Sequence, residues 1–499
     1  MKNRTALGML ALGCMLSLNQ AAVANNIVVT NAALGELNLG EKYVHVKFDI
    51  GWSNSWRTDV SWDAAWVFVK FQAPGSDNWQ HATLSSTNGD HVAAPGSEVH
   101  ASSDGKGAFI YRTDTARGNV SFAQMRLRWT YGSDGHNFAQ GDQIRISVHA
   151  VEMVYIPKGD FYLGSTGKEY AHFYKYTDGS QDTEAYLVSS ESAITVGKAN
   201  GNLCYESGGI QDCYGDGLGP IPDAFPKGYN AFYCMKYELT QGQYADFLNK
   251  LTAEQCRNRY PNCDGKDRHT ISGSYGNYSA AARDRACNYI SWSDGCAYTA
   301  WAGLRPMTEL EFEKACRGPA LPVAFEYAWG STVIRGLRGE AGTPGSGTET
   351  SGTPGANWVC GTPLGGPSRV GIFEAPGASR EQTGAGYYGV MELSGNVNER
   401  CVTVGRPQGR SFAGTNGSGV LSAAGDATNA DWYVSGEYGG GFRGGYWRLG
   451  ATSLPPRPNN RDIDWGALTV SGRNFAANVH KNHAVRNEKY GWRGVRVAP

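Results

Sequence analysis

The stretch from Tyr387 to Arg400, YYGVMELSGNVNER, constrains the fold of this chain more than any other. An apolar run over residues 388–393 leads into the turn Ser394-Gly395-Asn396, and the carboxylate of Glu399 follows. The run is typical of a short strand, and glycine and asparagine tolerate the positive φ of a tight turn. Carbonyl oxygens exposed by such a turn, beside one acidic side chain, are the ligands that calcium prefers. The stretch predicts a strand that ends in a calcium-binding turn, with an ordinary ion-free turn as the alternative.

Five further motifs flank this stretch. They are MVYIPKGDFYLGS (residues 153–165), FYCMKYELTQGQYADFLN (232–249), LRPMTELEFEKACRG (304–318), FRGGYW (442–447) and GWRGVRV (491–497). Together the motifs resemble those of the formylglycine-generating enzyme family, the sulfatase-modifying-factor domain, in the same order. The resemblance implies a C-type-lectin-like domain over residues 151–499.

The part that precedes this domain, residues 25–150, is predicted to be an all-β domain. Its strand candidates alternate apolar and polar residues or are rich in β-formers, and turn-forming residues separate them. The candidates are residues 27–30, 43–49, 65–71, 108–113, 124–130 and 143–150. Six or seven such strands predict a β-sandwich. The predicted fold class is therefore α+β, with an N-terminal sandwich followed by a loop-rich lectin-like domain.

Four tryptophans in the N-terminal domain admit two interpretations. Trp52, Trp56, Trp62 and Trp66 form an aromatic row in the sequence, which is suited to stacking on sugar rings. Large aromatic side chains also dominate hydrophobic cores. We favour packing in the core over glycan binding for this row.

Three helices are predicted in the second domain. Thr240 and Gln243 form a capping box, as do Thr308 and Glu311. Another helix is expected to follow Ser293. In the resembled family the TELEFEKA helix is architectural, so its three glutamates are expected to be capping and surface groups rather than catalytic acids.

Two stretches of the second domain lack periodicity. Residues 164–229 form a long insertion of irregular polarity. Residues 339–356 are low-complexity Gly, Thr, Ser and Pro, which predicts a mobile surface loop.

The resemblance fails at the copper centre of the family's oxidases. Those enzymes bind copper through two cysteines shortly after the "RGGS" turn, and thiolates suit Cu(I). Alignment on Arg443 places Leu449 and Leu454 at these positions, and the last cysteine of the sequence is Cys401. We therefore expect neither copper binding nor oxidase chemistry. A related branch uses histidine-bound iron. Here His480 and His483 are spaced i, i+3 and would share a metal if they lay on a helix, with solvated loop histidines as the alternative.

The family's calcium sites carry over in part. For one site, the resemblance implies carbonyl oxygens of Ser394, Gly395 and Val397 together with the Glu399 carboxylate. For the other it implies Asn357 and Trp358, but residues 359–367 offer no acidic ligand. Asn398 and Arg400 replace two tryptophans that follow "GNV" in the family, which changes the wall of the groove.

The N-terminus is predicted to be a secretory signal peptide, residues 1–24. Lys2 and Arg4 precede an apolar run, and Ala22-Val23-Ala24 is a suitable cleavage site. Lipidation at Cys14 is an alternative that the sequence leaves open. No stretch approaches the length of about 18 apolar residues that a transmembrane helix requires. We expect a secreted protein, extracellular or at the cell surface, with the periplasm as a further possibility.

Ten of the eleven cysteines remain once Cys14 is removed with the signal peptide. An even number in an oxidising compartment favours disulfides, although connectivity does not follow from sequence. Local pairs bracket polar loops. The candidates are Cys204/Cys213, Cys256/Cys263 and Cys287/Cys296, and the alternative for Cys296 and Cys316 is a small buried helix residue.

Charge excludes one class of partner. The formal net charge is −1, and loss of Lys2 and Arg4 with the signal peptide gives −3. No basic face is evident, which argues against nucleic acid as a partner.

The sequence thus predicts an exported, non-catalytic structural or adhesive surface protein. A subunit of an extracellular assembly or filament is one form that this role would take. A glycan-binding or ligand-binding module is one alternative, and an enzyme with an unrecognised site is another. Self-association is expected because the low net charge leaves little electrostatic repulsion between copies. Other expected partners at the surface are glycans or proteins. The apolar segment from Asn26 to Leu34 either pairs with a neighbouring copy or pairs within its own sheet.

Overall fold

The structure, a computed structural model, describes most of the chain. The described residues are 22–24, 27–179, 182–209, 212–263, 265–361, 363–375, 377–433, 439–448, 467–477 and 484–499. The predicted signal peptide up to residue 21, with Cys14, lies outside them, as do Leu449, Leu454 and the pair His480/His483. Within the described ranges, no helix has the length and apolar character needed to cross a bilayer.

Short strands dominate the described structure. In chain order they are β1 (Ala22–Ala24), β2 (Ile27–Leu34), β3 (Val44–Trp56), β4 (Asp63–Gln72), β5 (Gln80–His81), β6 (Ser97–Ala101), β7 (Ala108–Arg112), β8 (Arg117–Trp129), β9 (Arg145–Ile156), β10 (Phe161–Leu163), β11 (Tyr174–Lys175), β12 (Tyr186–Val188), β13 (Leu203–Cys204), β14 (Phe232–Met235), β15 (Ile271–Ser274), β16 (Asn277–Ala280), β17 (Arg305–Pro306), β18 (Glu340–Ala341), β19 (Thr350–Ser351), β20 (Glu399–Val402), β21 (Gly440–Arg443) and β22 (Gly494–Val497).

The α-helices of the described chain are short and lie after residue 240. They are α1 (Gln241–Leu248), α2 (Ala253–Arg259), α3 (Trp292–Ala302), α4 (Glu309–Arg317), α5 (Arg380–Thr383) and α6 (Pro407–Arg410), with 3₁₀ turns at Asn88–Asp90 and Lys266–Arg268. The described chain is therefore α+β and rich in strands.

Side-chain caps explain where these helices begin. The predicted capping boxes are confirmed for α1, at Thr240 and Gln243, and for α4, at Thr308 and Glu311. The middle helix begins at Trp292 because the Ser291 side chain caps it, slightly earlier than the sequence predicted.

One large sheet runs through both halves of the chain. Its strand order is β17-β22-β14-β9-β4-β7-β6, with β5 paired to β4. Strand β9 pairs with β4 along residues 145–154 and with β14 along residues 153–156. The boundary predicted between residues 150 and 151 therefore falls inside a strand, because the apolar run of β9 continues across it. The N-terminal strands and the second domain share a sheet.

The N-terminal part contains a second sheet, with the order β1-β2-β3-β8. Strand β3 alternates buried and half-buried residues along most of its length, as a strand with one face on a core does. Side chains from both sheets form one hydrophobic cluster. Its members include Val44, Val46, Phe48 and Ile50 from β3, Val67, Val69 and Phe71 from β4, and Met125, Leu127 and Trp129 from β8.

The four tryptophans of the N-terminal strands pack against other side chains, which agrees with the interpretation favoured from the sequence. Trp52 and Trp66 are buried. Trp62 stacks on Tyr155 with ring centroids 4.0 Å apart. Trp56 is half-buried. The four side chains therefore do not form an exposed platform for sugar rings.

The first apolar segment pairs within its own sheet. Strand β2 pairs with β3, with Val28 opposite Gly51, and Ile27 and Val29 are buried. The alternative of pairing within the chain is confirmed for this segment.

Residues 339–356, predicted to be a mobile surface loop, are largely exposed but contain ordered contacts. Strands β18 and β19 pair there, and Arg268 forms a bidentate ion pair with Glu340. The carboxylate of Glu349 is buried and accepts the Gly345 N–H, and the Glu349 carbonyl accepts from Arg369 Nε. These buried contacts hold a segment whose composition alone suggested mobility.

Candidate functional site

The turn after Val390 is buried and is not preceded by a strand. Residues 388–397 are irregular backbone with turns and bends, Asn398 forms a single bridge to Tyr490, and the strand β20 begins only at Glu399. The reason is backbone conformation, since Glu392, Gly395 and Asn396 have φ of 54°, 101° and 60°. Positive φ interrupts strand geometry. The predicted strand over residues 388–393 is therefore wrong, although the predicted turn is present.

The amide groups of the turn point to protein acceptors. Asn396 Nδ2 donates to Glu238 Oε2 at 2.5 Å, and the Val397 N–H donates to Glu238 Oε1 at 2.9 Å. The Asn396 N–H donates to the Val359 carbonyl at 2.8 Å. A single carboxylate at the end of the FYCMKYE motif thus fixes the turn.

The carboxylate of Glu399 faces Arg493 of the GWRGVRV motif. Arg493 Nη2 donates to Glu399 Oε1 at 3.0 Å and to the Met391 carbonyl at 2.7 Å, and Nη1 donates to the Met235 carbonyl at 2.8 Å. Glu399 Oε2 is buried and has no hydrogen-bond partner among the described residues. The fold therefore brings three of the sequence motifs into direct contact.

The predicted calcium ligands share one property. The carbonyl oxygens of Ser394, Gly395 and Val397 accept no hydrogen bond from donors in the described part of the chain. Buried carbonyl groups normally have partners, so these oxygens and Glu399 Oε2 are free for an ion. Oxygen donors of this kind suit calcium. The donor set fits one calcium ion, and the nearby Arg493 guanidinium is the feature that opposes it.

The residues of the second predicted calcium site do not fit an ion. Asn357 Oδ1 accepts the Arg335 N–H at 2.9 Å, and its Nδ2 donates to the Glu381 carbonyl at 2.9 Å. The Trp358 carbonyl accepts the Leu337 N–H at 2.9 Å. These groups connect loops to each other.

Carboxylates outnumber cations around the turn. Glu238, Glu392 and Glu399 are buried beside Arg493. Burial raises the pKa of Glu392 to about 7 and that of Glu399 to about 8, because the charged form loses water. The pKa of Glu238 is raised for the same reason.

A second acidic cluster surrounds Lys236 where the N-terminal strands meet the second domain. Lys236 Nζ lies 2.6 Å from Glu152, 2.9 Å from Glu374 and 4.0 Å from Asp63. Burial raises the pKa of Glu152 to about 8 and that of Asp63 to about 6. Burial disfavours the charged amine, but the Glu152 and Glu374 carboxylates outweigh it and raise the pKa of Lys236.

Sequence reasoning missed this cluster, although a lysine inside the apolar run FYCMKYEL was a signal for it. Within the described residues, no group of three or more His, Cys, Asp or Glu side chains is arranged to hold a metal ion. The cluster joins the N-terminal strands to the second domain through buried titratable side chains.

The glutamates of α4 are not surface groups, which corrects the prediction. Glu309 accepts from Arg443 Nη1 at 3.0 Å and from Arg473 Nε at 2.7 Å. Glu313 accepts from Arg443 Nη2 at 2.7 Å, and both glutamates are fully buried. They are internal because the FRGGYW motif inserts its arginine against this helix. Glu311 caps the helix, as predicted, and also binds Arg305.

None of the three predicted disulfides is present among the described residues. The ten cysteines from Cys204 to Cys401 are all buried, as small apolar residues in a core are. Cys296 lies inside α3, and burial raises its pKa above the ordinary value. Cys287 interacts electrostatically with Cys263 rather than bonding to Cys296. Cys204 pairs with Tyr174 across two short strands, while Cys213 and Cys256 are buried in other elements.

Arg400 takes up the space of an aromatic side chain. Its guanidinium lies 4.8 Å from the Phe442 ring centroid and 4.3 Å from that of Tyr490, and Nε donates to the Ile290 carbonyl. The backbone of Asn398 bonds to Lys489 and Gly491. The two departures from the family's tryptophans therefore leave a packed wall.

Comparison with known proteins agrees with this arrangement of motifs. The family model of the Sulfatase-modifying factor enzyme 1-like domain matches residues 143–496. A curated relative, the formylglycine-generating enzyme of Streptomyces coelicolor, is 32% identical over 119 residues, which cover 23% of this chain and 30% of that protein. The chain thus matches less than a third of the length of that relative. The family match spans well over half of the chain, which therefore belongs to the sulfatase-modifying factor enzyme 1-like family.

Proposed function

We propose that this chain is a non-catalytic member of its family, exported to the cell surface, where it serves as a structural or adhesive protein. One observation carries the proposal: the sequence has no cysteine after Cys401. Cys401 is itself buried in β20, and burial raises its pKa well above the ordinary value. Copper binding and thiol redox chemistry need an accessible thiolate.

The buried ionic groups support a role as a rigid scaffold. Glu309, Glu313, Arg443 and Arg473 belong to a buried network in which each charge has an opposite partner, and Arg317 extends it to Glu326. Such networks fix one arrangement of the loops that they connect. The proposed architecture is a β-sandwich joined to a lectin-like domain, which would present loops on a stable frame.

Calcium at the turn is part of the proposal. The support is the set of carbonyl oxygens at Ser394, Gly395 and Val397 together with Glu399 Oε2. The ion would add positive charge where three buried carboxylates face one arginine. Its role would be structural, because the turn is buried.

Two other functions remain as candidates. A ligand-binding module is favoured by a cavity between the N-terminal strands and the second domain. An enzyme is compatible with membership of the family, since the curated relative is named as one. An oxidase assay separates the enzyme from both other functions.

Assembly is the part of the proposal that light scattering and electron microscopy test. The support is the low net charge of the chain, which leaves little repulsion between copies. We expect the purified protein to form oligomers, and to do so without strand exchange by β2, which pairs internally. A strict monomer at high concentration would contradict the assembly role and favour the ligand-binding module.

A further inference from the structure

A cavity of about 420 Å³ lies between the N-terminal strands and the second domain. Its walls come from residues 70–134 on one side and from residues 250–255, Trp301 and residues 419–421 on the other. The volume falls in the range of small-molecule sites, which concentrate where structural units meet. The cavity shares no residue with the turn at residues 394–399.

Two lysines of the cavity have uncompensated amines. The Nζ atoms of Lys106 and Lys250 make neither a hydrogen bond nor an ion pair with any described residue. The Asp246 carboxylate, which raises the pKa of Lys250, is itself bound by Arg283 Nη2 at 2.6 Å. Partial burial outweighs it and lowers the pKa of Lys250 to about 8. An anion would compensate both amines.

The other charged groups of the wall are already engaged. Lys70 Nζ donates to the Trp301 carbonyl at 2.7 Å and to the Gly419 carbonyl at 3.1 Å. Among the described lining residues, Asp134 is the only acidic one. Its carboxylate accepts hydrogen bonds from the Thr83 N–H and from Trp129 Nε1. The cavity therefore offers positive charge without a competing free carboxylate.

The remaining lining suits a hydroxylated ring. Trp301 Nε1 is buried and has no acceptor among the described residues. Asn78 and Thr252 add polar groups, and Leu421 adds an apolar wall. Lys250 Nζ lies 3.9 Å from the ring centroid of Trp79, which holds the amine at the cavity.

We propose that this cavity binds a small hydroxylated carboxylic acid, of the size of one sugar acid, with Lys106 and Lys250 binding its carboxylate. Ammonium–carboxylate hydrogen bonds are among the strong ones in proteins. The polar side chains of Asn78 and Thr252 in the lining would bind hydroxyls. The proposal goes beyond the proposed function and holds whether or not the chain has oxidase chemistry.

The test is calorimetry and thermal denaturation of the purified full chain with D-glucuronate, D-glucose and inorganic sulfate as probes. We expect D-glucuronate to bind and to raise the melting temperature, since a ligand of the folded state stabilises it. D-glucose, which lacks the carboxylate, should bind at least tenfold more weakly. Lys106→Gln and Lys250→Gln should each weaken glucuronate binding at least tenfold. The control Lys198→Gln removes an exposed lysine outside the cavity and should leave binding unchanged.

Three results would overturn the proposal. One is the absence of glucuronate binding to the unaltered protein. Another is equal stabilisation by sulfate, which would mean a general anion effect. The third is unchanged binding in both lysine variants, each checked for folding by circular dichroism. A weakened affinity in either folded variant, with the Lys198→Gln affinity retained, supports it.

Discussion

Arg493 Nη2 lies 3.0 Å from Glu399 Oε1, and this contact joins two sequence motifs that are 94 residues apart. Both side chains are fully buried. The second carboxylate oxygen of Glu399 has no partner among the described residues. The arginine therefore holds one oxygen of the Glu399 carboxylate, and the proposed calcium ion would bind the other.

The turn predicts that calcium stabilises the protein. Chelation should lower the melting temperature, because an ion bound only to the folded state contributes about 2.7 kcal/mol at a concentration 100 times its Kd. Glu399→Gln should abolish the difference between curves measured with calcium and with chelator. Glu392→Gln, which removes a neighbouring carboxylate outside the proposed ligand set, should retain it. Identical curves for the unaltered protein in calcium and in chelator would mean that the turn holds no ion.

The network on α4 predicts a large loss of stability in Arg443→Met. The substitution removes a buried cation that both Glu309 and Glu313 bind, so Glu309 keeps only Arg473 and Glu313 keeps only Arg317 at 3.3 Å. Loss of one partner from a buried ion pair costs about 3–5 kcal/mol. The matched control is Arg448→Met, since that arginine is exposed and lies 3.9 Å from Glu488. Exposed pairs contribute about 0–1 kcal/mol. Urea denaturation of both variants measures the two losses, and similar values for the two would contradict the account of the core.

The acidic cluster at Lys236 predicts that stability falls as pH rises. Burial raises the folded-state pKa of Glu152 to about 8 from its ordinary 4.5, so the folded state holds a proton that the unfolded state has lost between these values. The stabilisation is complete below pH 4.5 and is lost as pH rises through about 8. Glu152→Gln should flatten the fall in melting temperature between pH 5 and pH 8 relative to Glu36→Gln at the surface. A slope that Glu152→Gln leaves intact would refute this assignment.

The buried thiols predict protection from labelling. Alkylation without reductant should modify none of the ten described cysteines in the native protein and all ten after denaturation. Intact-mass spectrometry counts the labels. Pairs of thiols that stay unlabelled after denaturation would instead indicate disulfides, and peptide mapping would identify them.

Local features of the fold followed from sequence because their causes are local. The caps of α1 and α4 depend on residues three positions apart, and both were predicted. The same pattern at Thr252 and Gln255 opens α2, which the prediction overlooked. The order of the family motifs identified the family itself.

Features that depend on contacts between residues far apart in the chain could not be predicted from the sequence. The shared sheet arises because β9 pairs with strands on both sides of the expected boundary. Burial of Glu309 requires Arg443 and Arg473, which lie 134 and 164 residues away. Ionic pairs of this separation leave no periodic signal, so polar residues in α4 resembled surface groups. The cavity is formed in the same way, from segments far apart in sequence.

The most direct test of the central claim is an oxidase assay combined with Cu(I) titration of the purified chain. A cysteine-containing peptide is incubated with the protein, copper and oxygen, and mass spectrometry then detects any aldehyde. The formylglycine-generating enzyme of Streptomyces coelicolor serves as the positive control. The account predicts no stoichiometric Cu(I) binding and no aldehyde with this chain, because its cysteines are buried and end at Cys401. Stoichiometric Cu(I) uptake, or conversion of the peptide cysteine to formylglycine, would contradict it.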